Sequence, residues 1–158
     1  MNNLSQISFF ADEVSPTLKK YTDRNDVRTG ECGVHLTIAV IQSWNINAYE
    51  PASDCAYDIV IDHEGQMIKI QVKSRRSTSE RINFTFTRGY HASQTGVYEY
   101  KENDFDISAC VSISDRKVIF SYGVQRYLSW SRKQFNLPGA EFDSWNNAFN
   151  LLKKNRSM

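Results

Sequence analysis

Three polar side chains of complementary chemistry lie between positions 58 and 73, in two predicted neighbouring strands. Asp58 carries a carboxylate, Gln71 an amide oxygen and Lys73 an ammonium group. A hard divalent cation such as Mg2+ prefers carboxylate, amide and backbone carbonyl oxygens as ligands. An ammonium group nearby can position a water molecule or stabilise the charge of a phosphate. The alternative is ordinary polar pairing on the exposed face of a hairpin, which these residue types alone do not exclude.

The residues around this group predict a β-hairpin. Apolar and polar residues alternate on both sides of a short loop that contains a glycine. If Asp62 and Met67 close a four-residue loop, counting back along the strands places Asp58 opposite Gln71. Opposed residues of an antiparallel pair project to the same side, as do residues two apart in one strand. We therefore expect Asp58, Gln71 and Lys73 to project together, with the opposite face aliphatic.

A helix is predicted over Thr29 to Trp44. Thr29 is a suitable N-cap, and apolar residues follow it at helical spacing. Glu31 lies in the first turn, where the helix dipole favours an acid, so its position alone requires no chemical role. We expect Gly30 to allow close packing at this end of the helix. We expect His35, one turn further on, to lie at the surface or behind the site rather than to bind a metal.

The order of these residues resembles the PD-(D/E)XK nuclease superfamily. The resemblance rests on Gly30-Glu31 opening the helix, then Asp58, then Gln71-Val72-Lys73 at the end of the second strand. The pattern is most similar to that of the small group I intron-type homing endonucleases, which carry Gln where most members carry Glu. It is also similar to archaeal Holliday junction resolvases. The resemblance covers roughly residues 29–76, with a weaker similarity over 100–122, and the Pro-Asp dipeptide of the superfamily is absent.

This resemblance implies an α/β fold with a PD-(D/E)XK, or restriction-endonuclease-like, core, in which helices flank a mixed central β-sheet. It also implies a Mg2+-dependent endonuclease that hydrolyses phosphodiester bonds of double-stranded DNA, with Mn2+ able to substitute. Asp58 would be the principal metal ligand, joined by Gln71 and the backbone carbonyl of Val72. Glu31 would bind the metal directly or through water. Lys73 would orient the attacking water or stabilise the phosphorane.

Two other functions remain open from the sequence. A junction resolvase or another structure-selective nuclease would use the same chemistry and recognise the shape of DNA. A non-catalytic DNA-binding protein on a nuclease scaffold is the other alternative, because Gln71 contributes no negative charge. A chain this small would cover a long duplex target only as a homo-oligomer, a dimer or a tetramer.

A basic stretch follows the hairpin and suits contacts with DNA phosphates. It combines cationic side chains with Ser, Thr and Asn donors, the residue types that position proteins on the DNA backbone. A solubilising loop is the alternative, and the position next to the proposed site favours DNA contact. The candidate DNA-binding residues are Arg75, Arg76, Arg81, Arg88 and His91.

Composition sets wider limits. The chain has 158 residues, which suits a single domain, and a formal net charge of +1, which alone does not indicate a nucleic-acid-binding protein. The three cysteines are widely spaced and lack a C-x-x-C pair, which argues against a disulfide framework or a zinc site. The sequence has neither an apolar run of membrane-spanning length nor a signal-peptide pattern. We therefore expect a soluble cytoplasmic protein.

The remaining elements complete a single nuclease domain over residues 1–158. Residues 1–26 form a possible N-terminal extension. A first strand over Asn47 to Glu50 and a loop over 51–54 precede the hairpin, and we expect Glu50 and Asp54 to be solvated loop acids rather than ligands. Strands are predicted over 82–87, 104–113 and 118–122. Residues 141–158 are predicted to form a C-terminal helix with a basic tail, which could pack on the core, dimerise or bind DNA.

Overall fold

The protein was analysed as a computed structural model that describes residues 26–52, 55–89 and 96–158. Most of the predicted N-terminal extension lies outside the described residues, as do Asp54 and His91. None of the described helices is long and apolar enough to cross a membrane. In chain order, the elements are α1 (Asp26–Gln42), β1 (Asn47–Tyr49), β2 (Ile59–His63), β3 (Gln66–Arg75), β4 (Arg81–Thr85), β5 (Thr87–Gly89), β6 (Val97–Glu99), β7 (Ile107–Ser112), β8 (Lys117–Tyr122), β9 (Tyr127–Ser131), α2 (Arg132–Phe135) and α3 (Ala140–Arg156).

Five strands form the main sheet, in the order β1-β2-β3-β7-β8. Its neighbouring strands are antiparallel except for β3 and β7, which are parallel. Parallel strands need a crossover connection, and residues 76–106 supply it. Outside this sheet, β4 pairs with β9 and β5 pairs with β6. The predicted mixed central sheet of a PD-(D/E)XK core is therefore confirmed.

The two faces of the main sheet are covered by different elements. Alternate residues of a strand project to opposite faces. Val111 belongs to a main core that α1 and α3 complete through Ile41 and Trp145. Its neighbour Cys110 belongs to a second core, which β4, β9 and α2 complete. The second core contains Ile82, Phe84, Phe86, Phe105, Cys110, Ile119, Leu128 and Phe135.

The β2–β3 hairpin has the predicted register with a tighter loop. Asp62 pairs with Met67 as expected, and one further pair, His63 with Gln66, extends the strands. The loop is therefore two residues long rather than four. Glu64 and Gly65 both have positive φ, 50° and 70°, the conformation that two-residue hairpin loops require. The extra pair leaves the register of every other residue unchanged.

Several predicted boundaries differ from those in the structure. Helix α1 begins at Asp26, so Thr29 lies inside its first turn and is not the N-cap. The strand predicted over 82–87 is divided, because β4 ends at Thr85 and β5 begins at Thr87. Phe86 between them is buried in the second core, and its N–H donates to the carbonyl of Arg126. Strands β6 and β9 and helix α2 were not predicted.

The C-terminal helix packs on the main sheet, which was one of the three possibilities left open. Its buried side includes Trp145 and Phe149. Arg156 forms an ion pair with Asp106, with a 2.9 Å N–O distance, and donates to the carbonyl of Met67. Lys153 forms an ion pair with Glu64 at the hairpin loop. These two basic residues of the tail therefore attach α3 to the hairpin.

Candidate active site

Asp58 and Gln71 are joined by a hydrogen bond at the start of β2. The paired residues of β2 and β3 end at Ile59 and Ile70, and the N–H of Asp58, one residue earlier, also donates to the carbonyl of Ile70. Oδ2 of Asp58 accepts from the backbone N–H of Val72 at 2.8 Å and from Nε2 of Gln71 at 2.6 Å. The Gln71 side chain is buried, and its Nε2 also donates to the Val72 carbonyl at 3.2 Å. The Asp58 and Gln71 side chains therefore meet, as predicted, although the strand pairing itself ends at Ile59, one residue short of Asp58.

The environment of Asp58 disfavours its charged form. Burial raises the pKa of the Asp58 carboxyl, the Val72 N–H and the charge of Lys73 lower it, and the charge of Glu50 raises it. The net pKa lies above the ordinary value, so burial outweighs the stabilising contacts. Because burial disfavours the charged form of Asp58, a cation bound beside it would stabilise this carboxylate more than it would stabilise an exposed one.

Lys73 projects to the same side as Gln71 and is held by groups outside the main sheet. Its Nζ donates to the backbone carbonyl of Thr87 in β5 at 2.9 Å. The ammonium also lies 5.7 Å from the centre of the Tyr100 ring. Burial lowers the pKa of Lys73, while the charge of Asp58 opposes that shift. Lys73 and Asp58 are therefore close enough to influence each other, as the hairpin pattern predicted.

The three residues open into a cleft of about 680 Å³. Its other wall is the first part of α1, which contributes Glu31, and the end of β1, which contributes Glu50. Glu31 is exposed in the first part of the helix and lines the same cleft as Asp58. The structure therefore brings together the four residues for which we predicted a catalytic role, Glu31, Asp58, Gln71 and Lys73.

Gly33, and not Gly30, provides the close approach of α1 to the sheet. A Cβ at Gly33 would lie 1.7 Å from Oγ and 2.8 Å from Cβ of Ser74, the residue after Lys73. A Cβ at Gly30 would have no neighbour within 4 Å, so the packing role predicted for Gly30 is wrong. Gly33 therefore sets how closely the helix that carries Glu31 approaches β3.

Glu50 lies closer to the proposed site than the sequence predicted. It was predicted to be a solvated loop acid, yet it lines the cleft, and its charge acts on Asp58. His35 lies within 3.1 Å of the Glu50 carboxylate, between Nε2 and Oε1, and both side chains remain largely exposed. The expected surface position of His35 agrees with this exposure. The sequence signal for Glu50 was its place at the end of a short strand directly before the site.

Four of the five residues predicted to bind DNA are described by the structure, and of these Arg75 lines the cleft. The Nε of Arg75 reaches the Asn83 carbonyl at 3.4 Å. Arg76 and Arg88 are exposed, and Arg81 is exposed with Nη1 3.3 Å from Oγ of Ser129. His91 lies outside the described residues. The arginines are therefore accessible to a ligand.

The cleft contains oxygen atoms of several types that could bind a divalent cation. Within residues 26–52, 55–89 and 96–158, no group of three or more His, Cys, Asp or Glu side chains is placed to hold a metal ion. The donors here are of mixed type. Asp58 Oδ2 and the Val72 carbonyl both accept from one amide nitrogen, so the two oxygens converge on one point. With the amide of Gln71 and the acids of the cleft wall, they fit the oxygen preference of Mg2+.

Tyr100 was not singled out by the sequence. It follows a short strand of three residues, and its relation to Lys73 arises from a crossover of about thirty residues, for which no local pattern exists. In the structure its ring faces the ammonium group of Lys73 and contacts Phe105 of the second core. The high content of tyrosine and phenylalanine was a signal, but it did not distinguish this ring from the others.

Comparisons with known proteins identify the family of this chain. The family model described as PD-(D/E)XK endonuclease matches residues 24–134. The solved structure of a bacterial homing endonuclease, I-Ssp6803I, superposes with a TM-score of 0.56 at 21% sequence identity, covering 85% of this chain and 98% of that chain. A search of curated protein sequences finds no significant match. Because the family model spans most of the chain and includes every proposed site residue, this protein belongs to the PD-(D/E)XK endonuclease family.

Proposed function

We propose that this protein is a divalent-metal-dependent endonuclease that cuts double-stranded DNA, of the homing type, with Mg2+ as its metal. The observation that supports this most is the convergence of Asp58 Oδ2 and the Val72 carbonyl on the amide of Gln71, beside the ammonium of Lys73. Family membership supports a nuclease, and the structural similarity to a solved bacterial homing endonuclease supports the type.

The proposed metal ligands are Asp58, Gln71 and the Val72 carbonyl, with Glu31 or Glu50 reaching the metal directly or through water. The cation would act as a Lewis acid on the scissile phosphate and would promote ionisation of the attacking water. Binding it requires Gln71 to present Oε1 instead of Nε2, because Nε2 now donates to both Asp58 and Val72. The hairpin supplies the rigid frame in which these oxygens are held.

Lys73 is proposed to stabilise negative charge as the phosphate is attacked, or to orient the water. Its ammonium is half-buried and already donates to the Thr87 carbonyl, which reduces the reorganisation needed when charge develops nearby. The ammonium is not a metal ligand, because it has donors and no acceptor. Its contribution is therefore separable from metal binding.

The basic residues beside the cleft are proposed to hold the DNA backbone. Arg75, Arg76, Arg81 and Arg88 and, outside the described residues, His91 follow the strand that carries Lys73. Arginine binds phosphate through two parallel hydrogen bonds. A homo-oligomer, a dimer or a tetramer, is proposed to extend the contact surface over a long target.

The deciding experiment is a cleavage assay with the full-length protein. We would incubate it with a linear duplex library of random sequence, genomic DNA and a four-way junction, either with excess Mg2+ or with EDTA. We expect a limited set of cut positions in linear duplex, found by sequencing the new ends, and no cutting in EDTA. Symmetric cutting of the junction alone, regardless of sequence, would identify a resolvase. Binding without cutting under every condition would identify a non-catalytic DNA-binding protein.

A further inference from the structure

The ammonium group of Lys73 is positioned by two groups that come from the crossover segment and not from the main sheet. The Thr87 carbonyl accepts from Nζ at 2.9 Å, and the centre of the Tyr100 ring lies 5.7 Å from Nζ. A cation within about 6 Å of an aromatic ring centre is attracted by the negative face of the ring. The ammonium group therefore has two contacts in the crossover segment, a hydrogen bond to a carbonyl and a contact with an aromatic ring.

Tyr100 is itself held in place by the second core. Its ring meets the ring of Phe105 edge to face, with the centroids 5.1 Å apart and the planes at 78°. Phe105 is fully buried and lies against Phe86, 6.1 Å between centroids. The position of the Tyr100 ring is therefore determined by packing among buried aromatic side chains, which leaves it little freedom to move away from Lys73.

Tyr100 also stays neutral in the cleft. Burial and, after it, the charge of Asp58 raise the pKa of Tyr100 to about 12. The ring therefore presents an uncharged aromatic face to Lys73 at neutral pH. The influence of Asp58 shows in addition that Tyr100 lies close to both charged groups of the proposed site.

We propose that Tyr100 is a positioning residue that acts through Lys73. Its ring, supported by Phe105, keeps the ammonium group on the side of the cleft where the phosphate would lie. The Thr87 carbonyl alone would leave the long and flexible lysine side chain able to swing about one hydrogen bond. The catalytic part of this proposal rests on the proposed function, whereas the contact between ring and ammonium does not.

The test compares Tyr100→Phe and Tyr100→Leu in the full-length protein. Tyr127→Leu is the matched control, because Tyr127 is an exposed tyrosine with a cation, Arg126, 5.1 Å from its ring centre. The first measurement is the NMR signal of the lysine ε-methylene groups in protein labelled with 13C-lysine. The Lys73 signal would be assigned by its loss in Lys73→Arg. The second measurement is kcat and KM for cleavage of the target DNA.

If the Tyr100 ring holds the ammonium group, the NMR signal of Lys73 and the kinetic constants should change in the same variants. The Lys73 signal should lie upfield in the parent and in Tyr100→Phe through the ring current, and should move downfield in Tyr100→Leu. We expect Tyr100→Phe to keep kcat within about threefold and Tyr100→Leu to lose about ten- to hundredfold in kcat with little change in KM. Tyr127→Leu should leave the Lys73 signal and both constants unchanged.

Other results would overturn the proposal. An unchanged Lys73 signal in Tyr100→Leu would show that the ring does not hold the ammonium group. A shifted signal with unchanged kcat would show that the contact has no part in catalysis. A loss in Tyr100→Phe as large as that in Tyr100→Leu would assign the role to the hydroxyl group instead of the ring.

The proposal can still be tested if Tyr100→Leu does not fold or if the parent protein does not cut DNA. If Tyr100→Leu does not fold, a series of fluorinated phenylalanines at position 100 keeps the size of the ring while weakening its attraction for cations. In that series kcat should fall with each added fluorine, and a flat series would overturn the proposal. If the parent protein cuts no DNA, the proposed function fails, and the NMR comparison still decides whether the ring holds Lys73.

Discussion

The cleft is built by two regions that differ in how they are constructed. The first is the main sheet with α1, which supplies Asp58, Gln71 and Glu31. The second, which we call the flanking layer, consists of β4, β5, β6 and β9 with residues 100–105. It supplies the Thr87 carbonyl and the Tyr100 ring. The first region thus positions the oxygen ligands, and the second positions the ammonium group.

This difference separates two requirements of the proposed chemistry. The oxygen ligands depend on the register of one hairpin, which brings Asp58 to Gln71. The ammonium group depends on aromatic packing in the second core, far away in sequence. Changes to the oxygen ligands of the first region should therefore alter metal binding. Changes in Lys73, or in the flanking layer that positions its ammonium group, should alter the rate at unchanged metal affinity.

The largest effect is expected for Asp58→Ala. Loss of this carboxylate removes the proposed principal metal ligand and should reduce DNA cleavage by about 1,000-fold or more. Metal binding measured by calorimetry should weaken in parallel, while DNA binding in EDTA should persist. Asp62→Ala is the control, because Asp62 lies exposed on β2, the strand that directly follows Asp58. Cleavage at the parental rate by Asp58→Ala would remove the hairpin from the active site.

The next effect concerns Gln71, whose amide is the least usual member of the donor set. In the metal-free protein its Nε2 donates to Asp58 Oδ2, and a carboxylate in its place would repel Asp58. Gln71→Glu should therefore melt about 2–4 °C lower without metal, bind Mg2+ about tenfold more tightly and retain part of the cleavage. Gln71→Ala should lose cleavage together with metal affinity.

The contrast with Lys73→Ala sharpens the comparison of the two regions. That variant should be inactive and still bind metal as tightly as the parent, because an ammonium group is not a ligand. Calorimetric titration beside the cleavage assay separates the two cases. Equal loss of metal affinity in Gln71→Ala and Lys73→Ala would show that the oxygen ligands and the ammonium group do not act separately.

A smaller effect is expected where α1 meets the main sheet. Gly33→Ala places a methyl group 1.7 Å from Oγ of Ser74, so the helix or the strand must shift. We expect a loss of about 1–3 kcal/mol in the free energy of unfolding. Gly30→Ala is the matched control, since its methyl group would meet nothing within 4 Å and helix propensity favours Ala by about 0.5–1 kcal/mol. Denaturant melts that rank the two variants in the opposite order would refute the close approach.

The same two regions explain how much was predictable from sequence. The hairpin was predictable because period-two alternation and a glycine loop fix both strands and their register, so Asp58 and Gln71 could be paired by counting. In the flanking layer, β4 fell within the strand predicted over 82–87, but the β5–β6 pair was not predictable, because each of these strands has three residues and too little pattern to detect. Gly33 was missed for another reason, since only the packed structure shows which glycine of α1 faces Ser74.

The smallest effect is a dependence of stability on pH that comes from Asp58. Its pKa is raised above the ordinary value of 3.8, with burial as the largest cause. Below pH 3.8 the carboxyl is protonated in both the folded and the unfolded chain, so burial carries no charge penalty. As the pH rises through 3.8 and then through the folded pKa, the unfolded chain loses its proton first. The carboxylate therefore destabilises the folded state at neutral pH.

Asp58→Asn tests this sign, because it removes the charge and keeps an oxygen that can accept from the Val72 N–H, now 2.8 Å from Oδ2. In EDTA at neutral pH the variant should melt about 2–4 °C higher than the parent, and the gain should vanish as the pH falls below 3.8. Asp62→Asn, at an exposed carboxylate, should show no such gain. A variant that is less stable than the parent at neutral pH would show that the attraction of Lys73 and the hydrogen bond from the Val72 N–H outweigh burial, and that the net effect of the folded environment is to stabilise this carboxylate.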